Sequence, residues 1–191
     1  MVIVVALVLI AGTIALLLAR QVTRSIHLQE AATNYSNFLQ QARIRSVQDD
    51  NYYSVKIVAA SSGNPAMAYI DVLQSGTFNA AKDPVIYFTS DVKQQSRTAA
   101  PNVSNLESQF LPAGGAGTVD TTHSPTFSAR GLPCSPSSTS GGTCYSTTPT
   151  SYEIFFKNTS SLNWEAVTIT PAGRIHQWSH SAASGTWSPM N

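Results

Sequence analysis

Charge is scarce in this chain. Asp, Glu, Lys and Arg make up 11% of 191 residues, the formal net charge is +1, and no charged side chain precedes Arg20. A general polyanion binder needs clustered Lys and Arg, so the scattered basic residues argue against that class. Only Arg43 and Arg45 come close together, and two positions apart on a helix they point to different sides. Cysteine is limited to Cys134 and Cys144. A structural zinc takes four ligands, and no C-x-x-C pair or nearby histidine supplies the rest. There is no G-x-S-x-G elbow, and the few acids and histidines suggest no set of nucleophile, base and orienting acid. The reading is therefore non-enzymatic, with no catalytic, cofactor-binding or metal-binding residue assigned. Gly and Pro are missing from Gln21 to Gln48, so nothing there breaks a helix.

What stands in place of charge begins at residue 1. MVIVVALVLIAGTIALLLAR is filled with β-branched residues and leucine. At about 1.5 Å per residue a helix from Met1 to Ala19 reaches roughly 28 Å, close to the hydrocarbon thickness of a bilayer. A cleavable signal has a basic n-region, a shorter apolar stretch and a small-x-small site, whereas Met1 is followed directly by Val2, Ile3, Val4 and Val5. A buried core helix needs a large surrounding domain, which about 170 residues of mostly polar chain do not obviously supply. The expectation is a helix that stays in the lipid.

Past Arg20 the pattern turns amphipathic. Leu28, Ala31, Ala32, Tyr35, Phe38, Leu39, Ala42 and Ser46 share one face at three- and four-residue spacing, with Arg24, Glu30, Asn37, Gln41 and Arg45 opposite. One helix over 1–48, roughly 70 Å long, is predicted to begin in lipid and end packed on a globular domain. Beyond Asp49 and Asp50 the period moves towards two. Residues 52–60, 66–74, 84–90, 151–158, 164–171 and 173–180 read as strands, and the Pro171-Ala172-Gly173 turn makes a hairpin of the last two. From Gln94 to Thr150 the chain is mostly Pro, Gly, Ser and Thr, with apolar islands at Phe110-Leu111 and Phe127. It is expected to lie over the domain as a surface excursion without a core of its own. The fold class is α+β: a transmembrane and then amphipathic helix over 1–48, packed on an antiparallel β-sheet or β-sandwich domain over 49–191.

Cys134 and Cys144 lie inside GLPCSPSSTSGGTCYSTTPTS. Spacing and setting favour a disulfide closing a short flexible loop, against the alternative of two unrelated thiols. A disulfide puts this part of the chain in an oxidising compartment, consistent with the Ser, Thr, Gly, Asn and Pro usage of an exported β-rich domain.

An uncharged N-terminal run continuing into an amphipathic helix and then a β-domain resembles the type IV pilins and the pseudopilins of type II secretion. More narrowly, FLQQARIRSVQDDNYYSV (38–55) resembles the helix end and first strand of the GspH/FimT family of minor pseudopilins and pilins, of the form L-x-x-A-R-x-x-A-V. WEAVTITPAGRIHQW (164–178) resembles that family's closing hairpin with its G-R-I. The likeness lies at both ends of the chain and is absent through 94–150. It implies a type IV pilin-like fold without a cofactor, and a structural filament subunit: a minor pilin or pseudopilin of a type II secretion system or type IV pilus. The implied setting is a single pass through a bacterial inner membrane with the domain on the periplasmic or extracellular side. Val2, Val5, Leu9, Ile14 and Leu18 are then the membrane and filament-helix residues, and the partners are other pilin or pseudopilin subunits. The resemblance also implies a basic leader, a peptidase site, N-terminal methylation and a glutamate, all expected at or ahead of Met1. Arg20 and Arg24 alone favour a cytoplasmic domain, and such a leader reconciles them with the disulfide.

Two other functions compete. Some members of the FimT branch bind DNA during uptake through basic residues of the C-terminal region. Arg174 stands at the G-R-I position, and with His176, Trp178 and Trp187 it forms the candidate contact set for a partner subunit or DNA. The tail HQWSHSAASGTWSPMN has no Lys or Arg, so the charge that DNA requires is missing and subunit contact is favoured. The other competitor is a membrane-anchored extracytoplasmic enzyme, for which no small-molecule substrate is indicated. His176 and His180 share a strand face with Trp178 and read as a solvent-facing stripe, because a third metal ligand such as His123 has no reason to be near. The sequons at Asn34, Asn102 and Asn158 are read as silent.

Overall fold

The computed structural model describes residues 2–61, 63–111, 118–136, 144, 149–159 and 162–190, and side chains from residue 21 onward. α1 (Val2–Gln48) is one unbroken helix of 47 residues, as the absence of Gly and Pro after Arg20 predicts. The expected membrane span, with Val2, Val5, Leu9, Ile14 and Leu18, has side chains outside the described residues. Among the described residues no helix is long and apolar enough to cross a membrane.

The stripe from Leu28 to Ser46 is the buried face of α1: all eight of its predicted residues are at most 5% exposed. Glu30, Asn37 and Gln41 face solvent. The helix stops where Asp50 turns left-handed, at φ 48°. There Asn51 N–H closes on Ser46 C=O at 3.1 Å, which satisfies one of the carbonyls that a helix end leaves without an internal partner.

Among the described residues ten strands follow: β1 (Tyr53–Val58), β2 (Met67–Asp71), β3 (Val85–Tyr87), β4 (Val92–Gln95), β5 (Thr118–Val119), β6 (Thr126–Phe127), β7 (Thr150–Asn158), β8 (Trp164–Ile169), β9 (Ile175–His180) and β10 (Trp187–Pro189). They form a four-stranded sheet, β3-β2-β1-β6, and a larger one, β10-β9-β8-β7-β4, with β5 beside β7. All the pairings are antiparallel except β5 with β7. α1 packs on both sheets, and alternate residues of β1, β2, β7 and β8 (Val55, Ile70, Phe156 and Ile169 among them) close the main core around it. Tyr35 meets Phe156 edge-on with ring centres 5.4 Å apart, a geometry favoured by the ring quadrupoles. On the outer face of the small sheet the loop after β2 folds back, setting Phe78 5.4 Å from the Tyr69 ring. Buried Asp71 and Asp83 hold that loop by accepting main-chain N–H groups of Ser75, Gly76, Val72 and Asn79.

The stretch from 94 to 150 is not the coreless excursion that its composition suggests. It supplies α2 (Val103–Phe110), whose Leu106 and Phe110 are buried one turn apart, and Phe127 of β6 is fully buried in the main core. A few apolar residues at the right spacing are enough, because the rest of their surroundings comes from elsewhere. α2 covers the far face of the larger sheet, and Leu106 and Phe110 pack there with Phe155, Trp164, Trp178 and Trp187 as a second core. The expected solvent-facing stripe is corrected by the same packing at Trp178 and His180, while His176 stays exposed. Trp178, His180 and Trp187 are each at most 5% exposed, since the strand face they share is the one α2 covers.

Candidate functional site

The two segments that carry the pilin resemblance meet at Arg43. β8 and β9 are joined by the predicted turn, in which Gly173 takes φ 77° and donates its N–H to Thr170 C=O at 2.8 Å. A Cβ on Gly173 would stand 2.9 Å from Gly131 O and 3.3 Å from the Arg43 guanidinium, so both the turn and the close approach require glycine. Arg43 points into this gap from the last turns of α1. Its Nε donates to Gly131 O at 2.9 Å and its Nη1 to Gly173 O at 2.8 Å. The planar fork of arginine spans two carbonyls that a lysine ammonium would reach one at a time. Arg45, on another side of the helix, pairs with Asp49 at 3.3 Å and lies over the Tyr53 ring.

At the other end of the docked segment, His27 Nδ1 lies 3.1 Å from Asp91 Oδ2, and Asn158 donates to the same oxygen at 2.6 Å. Burial pushes the Asp91 carboxyl up, but the bonds from His27, Thr89 and Asn158 outweigh it and hold the group below its usual range. Before this point Val22 and Ile26 are more than half exposed. The buried stripe of α1 on the β-domain is thus flanked by the His27–Asp91 pair near its start and by the Arg43 fork in its last turns.

The four candidate contact residues do not form one surface. Arg174 and His176 are exposed. Trp178 is buried and donates its indole N–H to Thr168 Oγ1 at 2.8 Å. Trp187 is buried beside Phe155 and His180 and donates to Pro101 O at 2.8 Å. Both indoles are thus core groups with their polar atoms spent, and neither is free to stack on a base.

Cys134 and Cys144 are bonded to each other, with Cα atoms 5.7 Å apart. The Cys134 side is firmly anchored: its N–H reaches Thr126 O at 3.0 Å, and Tyr152 Oη donates to its carbonyl at 2.5 Å. Next to it Ser135 Oγ donates to Asp120 Oδ2 at 2.6 Å. Asp120 also accepts the main-chain N–H groups of Thr122 and His123. Burial raises the Asp120 carboxyl and these bonds outweigh it, so the group sits well below the ordinary carboxylate range. The predicted knob Ser135 to Thr143 lies mostly outside the described residues.

His123 lies in that Asp120 loop, apart from His176 and His180. Its Nδ1 contacts both Thr122 Oγ1 and Asp120, so Thr122, His123 and Asp120 do not form a relay in which the two ring nitrogens serve different partners. Among the described residues no group of three or more His, Cys, Asp or Glu is placed to hold a metal.

Two buried acids escaped sequence reasoning. Glu153 shares Arg97 with Glu107; burial pushes its carboxyl up to about 7 against the pull of Arg97. Burial likewise pushes Glu165 up to about 7, and its Oε2 has no partner among the described residues. Both stand in strands, β7 and β8, and strand alternation alone does not reveal that their carboxyls are enclosed.

No protein-family model and no curated protein matches the chain. Among solved structures, the type IV minor pilin FimU of Pseudomonas aeruginosa is similar, with a TM-score of 0.49 and 18% identity, covering 80% of this chain and 89% of that one. At that distance the likeness carries no inference about function.

Proposed function

We propose that this chain is a non-enzymatic filament subunit, a minor pilin or pseudopilin of a type IV pilus or type II secretion system. It is stored in a bacterial inner membrane by the first half of α1, with its β-domain outside the cytoplasm. The observation that carries the reading is the division of α1: among its described side chains the first buried core residue is Leu28, while Val22 and Ile26 are 59% and 55% exposed. Roughly 40 Å of helix therefore precedes the packed stripe, and its sequence is uncharged as far as Arg20. An apolar helix of that length needs an apolar covering. Lipid covers it before assembly, and the same segments of neighbouring subunits cover it in a filament. The Arg43 fork and the His27–Asp91 pair support this role, because they tie the rod to the domain at both ends of the docked stretch. The buried positions of Trp178 and Trp187 weigh against DNA binding.

Charge at the lipid-facing segment tests the proposal. Leu9→Asp and Ile14→Glu are expected to abolish recovery of the chain in sheared filaments while its β-domain keeps its cooperative unfolding. The wild-type chain should leave membranes with detergent but not with alkaline carbonate. Normal assembly of both variants, or release by carbonate, would refute it. Removing residues 1–24 should leave a soluble, cooperatively folding domain.

A further inference from the structure

A cavity of about 300 Å³ lies between the edges of the two sheets, at the small end of the range for ligand sites. Val55 and Ile57 of β1 wall it on one side and Tyr152 and Ile154 of β7 on the other, the loop from Asp120 to Pro125 and the residues after β4 close round them, and Tyr35 reaches it from α1. Tyr35 is wholly buried, yet its Oη has no hydrogen-bond partner among the described residues. Phenylalanine would fill the same place against Phe88 and Phe156, so packing does not account for the hydroxyl, and buried hydroxyls are as a rule paired. Burial pushes its pKa far up, which keeps it an O–H donor.

Ile57 adds two more open groups. Ile70, opposite Val55, sends its N–H away from β1 to Pro84 C=O at 3.1 Å, and Val55 sends its own to Pro125 C=O at 2.8 Å. Two residues on, Ile57 therefore turns its N–H and C=O to the β6 side as well, where β6 has already ended, and neither has a partner among the described residues. The charged groups of the wall are instead committed within the protein. Ser135, Thr122 and His123 take up the Asp120 carboxylate. Tyr152 and Ile154 face the main core, so Glu153 between them turns its carboxyl to the α2 side of β7, where with Glu107 it takes up Arg97.

We propose that this cavity binds the pyranose ring of a neutral hexose. Its open groups are uncharged and of both kinds: donors on Tyr35 and on Ile57 N–H, an acceptor on Ile57 C=O. A hydroxyl both donates and accepts, so neighbouring hydroxyls of one ring can serve Ile57 N–H and C=O together while a third accepts from Tyr35. An ammonium cannot accept from Tyr35 or Ile57, a carboxylate has no proton for Ile57 C=O, and either ion would enter without a free counter-charge. Val55, Ile57 and Ile154 offer apolar surface to the C–H groups of the ring, and Gln94, Thr121 and Ser124 add polar groups to the wall. An added peptide strand is held off by Pro125, which already stands opposite Val55. The inference does not depend on the filament reading.

The test titrates the full-length chain, in micelles of a zwitterionic detergent without a sugar head group, with methyl α-D-glucopyranoside, methyl α-D-mannopyranoside and methyl β-D-galactopyranoside. The Ile57 amide is followed by NMR. In the free chain it should exchange its hydrogen faster than the amide of Lys56, which pairs with β2, and at least one glycoside should bind in the millimolar range, shift the Ile57 signal and slow that exchange. Tyr35→Phe loses no bond within the fold, so it should unfold in urea no earlier than wild type, yet bind that glycoside about three- to tenfold more weakly. Tyr87→Phe, at an exposed position outside the cavity, should change neither. The proposal is overturned if none of the three glycosides moves the Ile57 amide at tens of millimolar, if cyclohexanol binds as well as they do, or if the Ile57 amide is already protected in the free chain. It is equally overturned if Tyr35→Phe lowers stability or keeps full affinity, or if inorganic phosphate or spermidine binds there more tightly than the glycosides.

Discussion

Replacing Arg43 by alanine should cost far more than its place on a helix surface suggests. The substitution removes two donors from carbonyls at 2.9 and 2.8 Å, on Gly131 and Gly173, both of which are buried residues. A hydrogen bond with a charged partner contributes about 1.5 to 3 kcal/mol, and stranding a buried acceptor costs about 1 to 3 kcal/mol. Arg43 is itself partly exposed, so water replaces some of what is lost and the two bonds do not add fully. The expected loss is about 2 to 4 kcal/mol. Arg43→Lys keeps the charge but offers a single point donor, and should recover less than half. Arg45→Ala is the control. It removes a surface i, i+4 pair with Asp49 and a contact with the Tyr53 ring, together about 1 kcal/mol or less. Urea unfolding followed by tryptophan fluorescence reads all three, because Trp164, Trp178 and Trp187 are buried. If the midpoints of Arg43→Ala and Arg45→Ala agree, or Arg43→Lys matches wild type, the two-carbonyl fork does not hold the helix to the hairpin.

Other consequences are as direct. The folded Glu165 carboxyl, at about 7, lies above its ordinary 4.5, so the folded chain keeps a proton there that the unfolded chain releases. That contribution is complete below about pH 4 and lost as pH rises through 7; Glu165→Gln should flatten this limb and stabilise the protein by roughly 2 to 3 kcal/mol at pH 8, and an unchanged pH profile would contradict it. Trp187→Ala should destabilise by about 3 to 5 kcal/mol through the second core; a fully stable variant that had lost only a partner contact would restore the surface reading of that tail. Replacing Cys134 and Cys144 together by serine should cost about 2 to 3 kcal/mol and leave helix content by circular dichroism unchanged, and two free thiols in envelope-derived protein would remove the premise.

How much of this was readable in advance depended on whether a feature is local. The α1 stripe was legible because its eight small and apolar residues repeat at the helical period, and every one of them is buried. The six long or regular strands and the Pro171-Ala172-Gly173 hairpin followed from period two and turn chemistry. The contact set is less legible: Arg174, His176, Trp178 and Trp187 lie close together in the sequence, yet two are exposed and two are core.

The amino-acid order by itself determined the single unbroken helix, where its buried stripe runs and the change of period after Asp50, because each depends on spacing within a few residues to a few turns. Tertiary structure alone decided which face of β9 is inside. Strand alternation puts His176, Trp178 and His180 on one side without saying whether solvent or α2 lies there, and Leu106 and Phe110, some seventy residues earlier, supply the answer. It also decided the partners of Arg43. An exposed arginine and one that bridges two glycine carbonyls look alike in sequence, and here the bonds span 88 and 130 residues of chain.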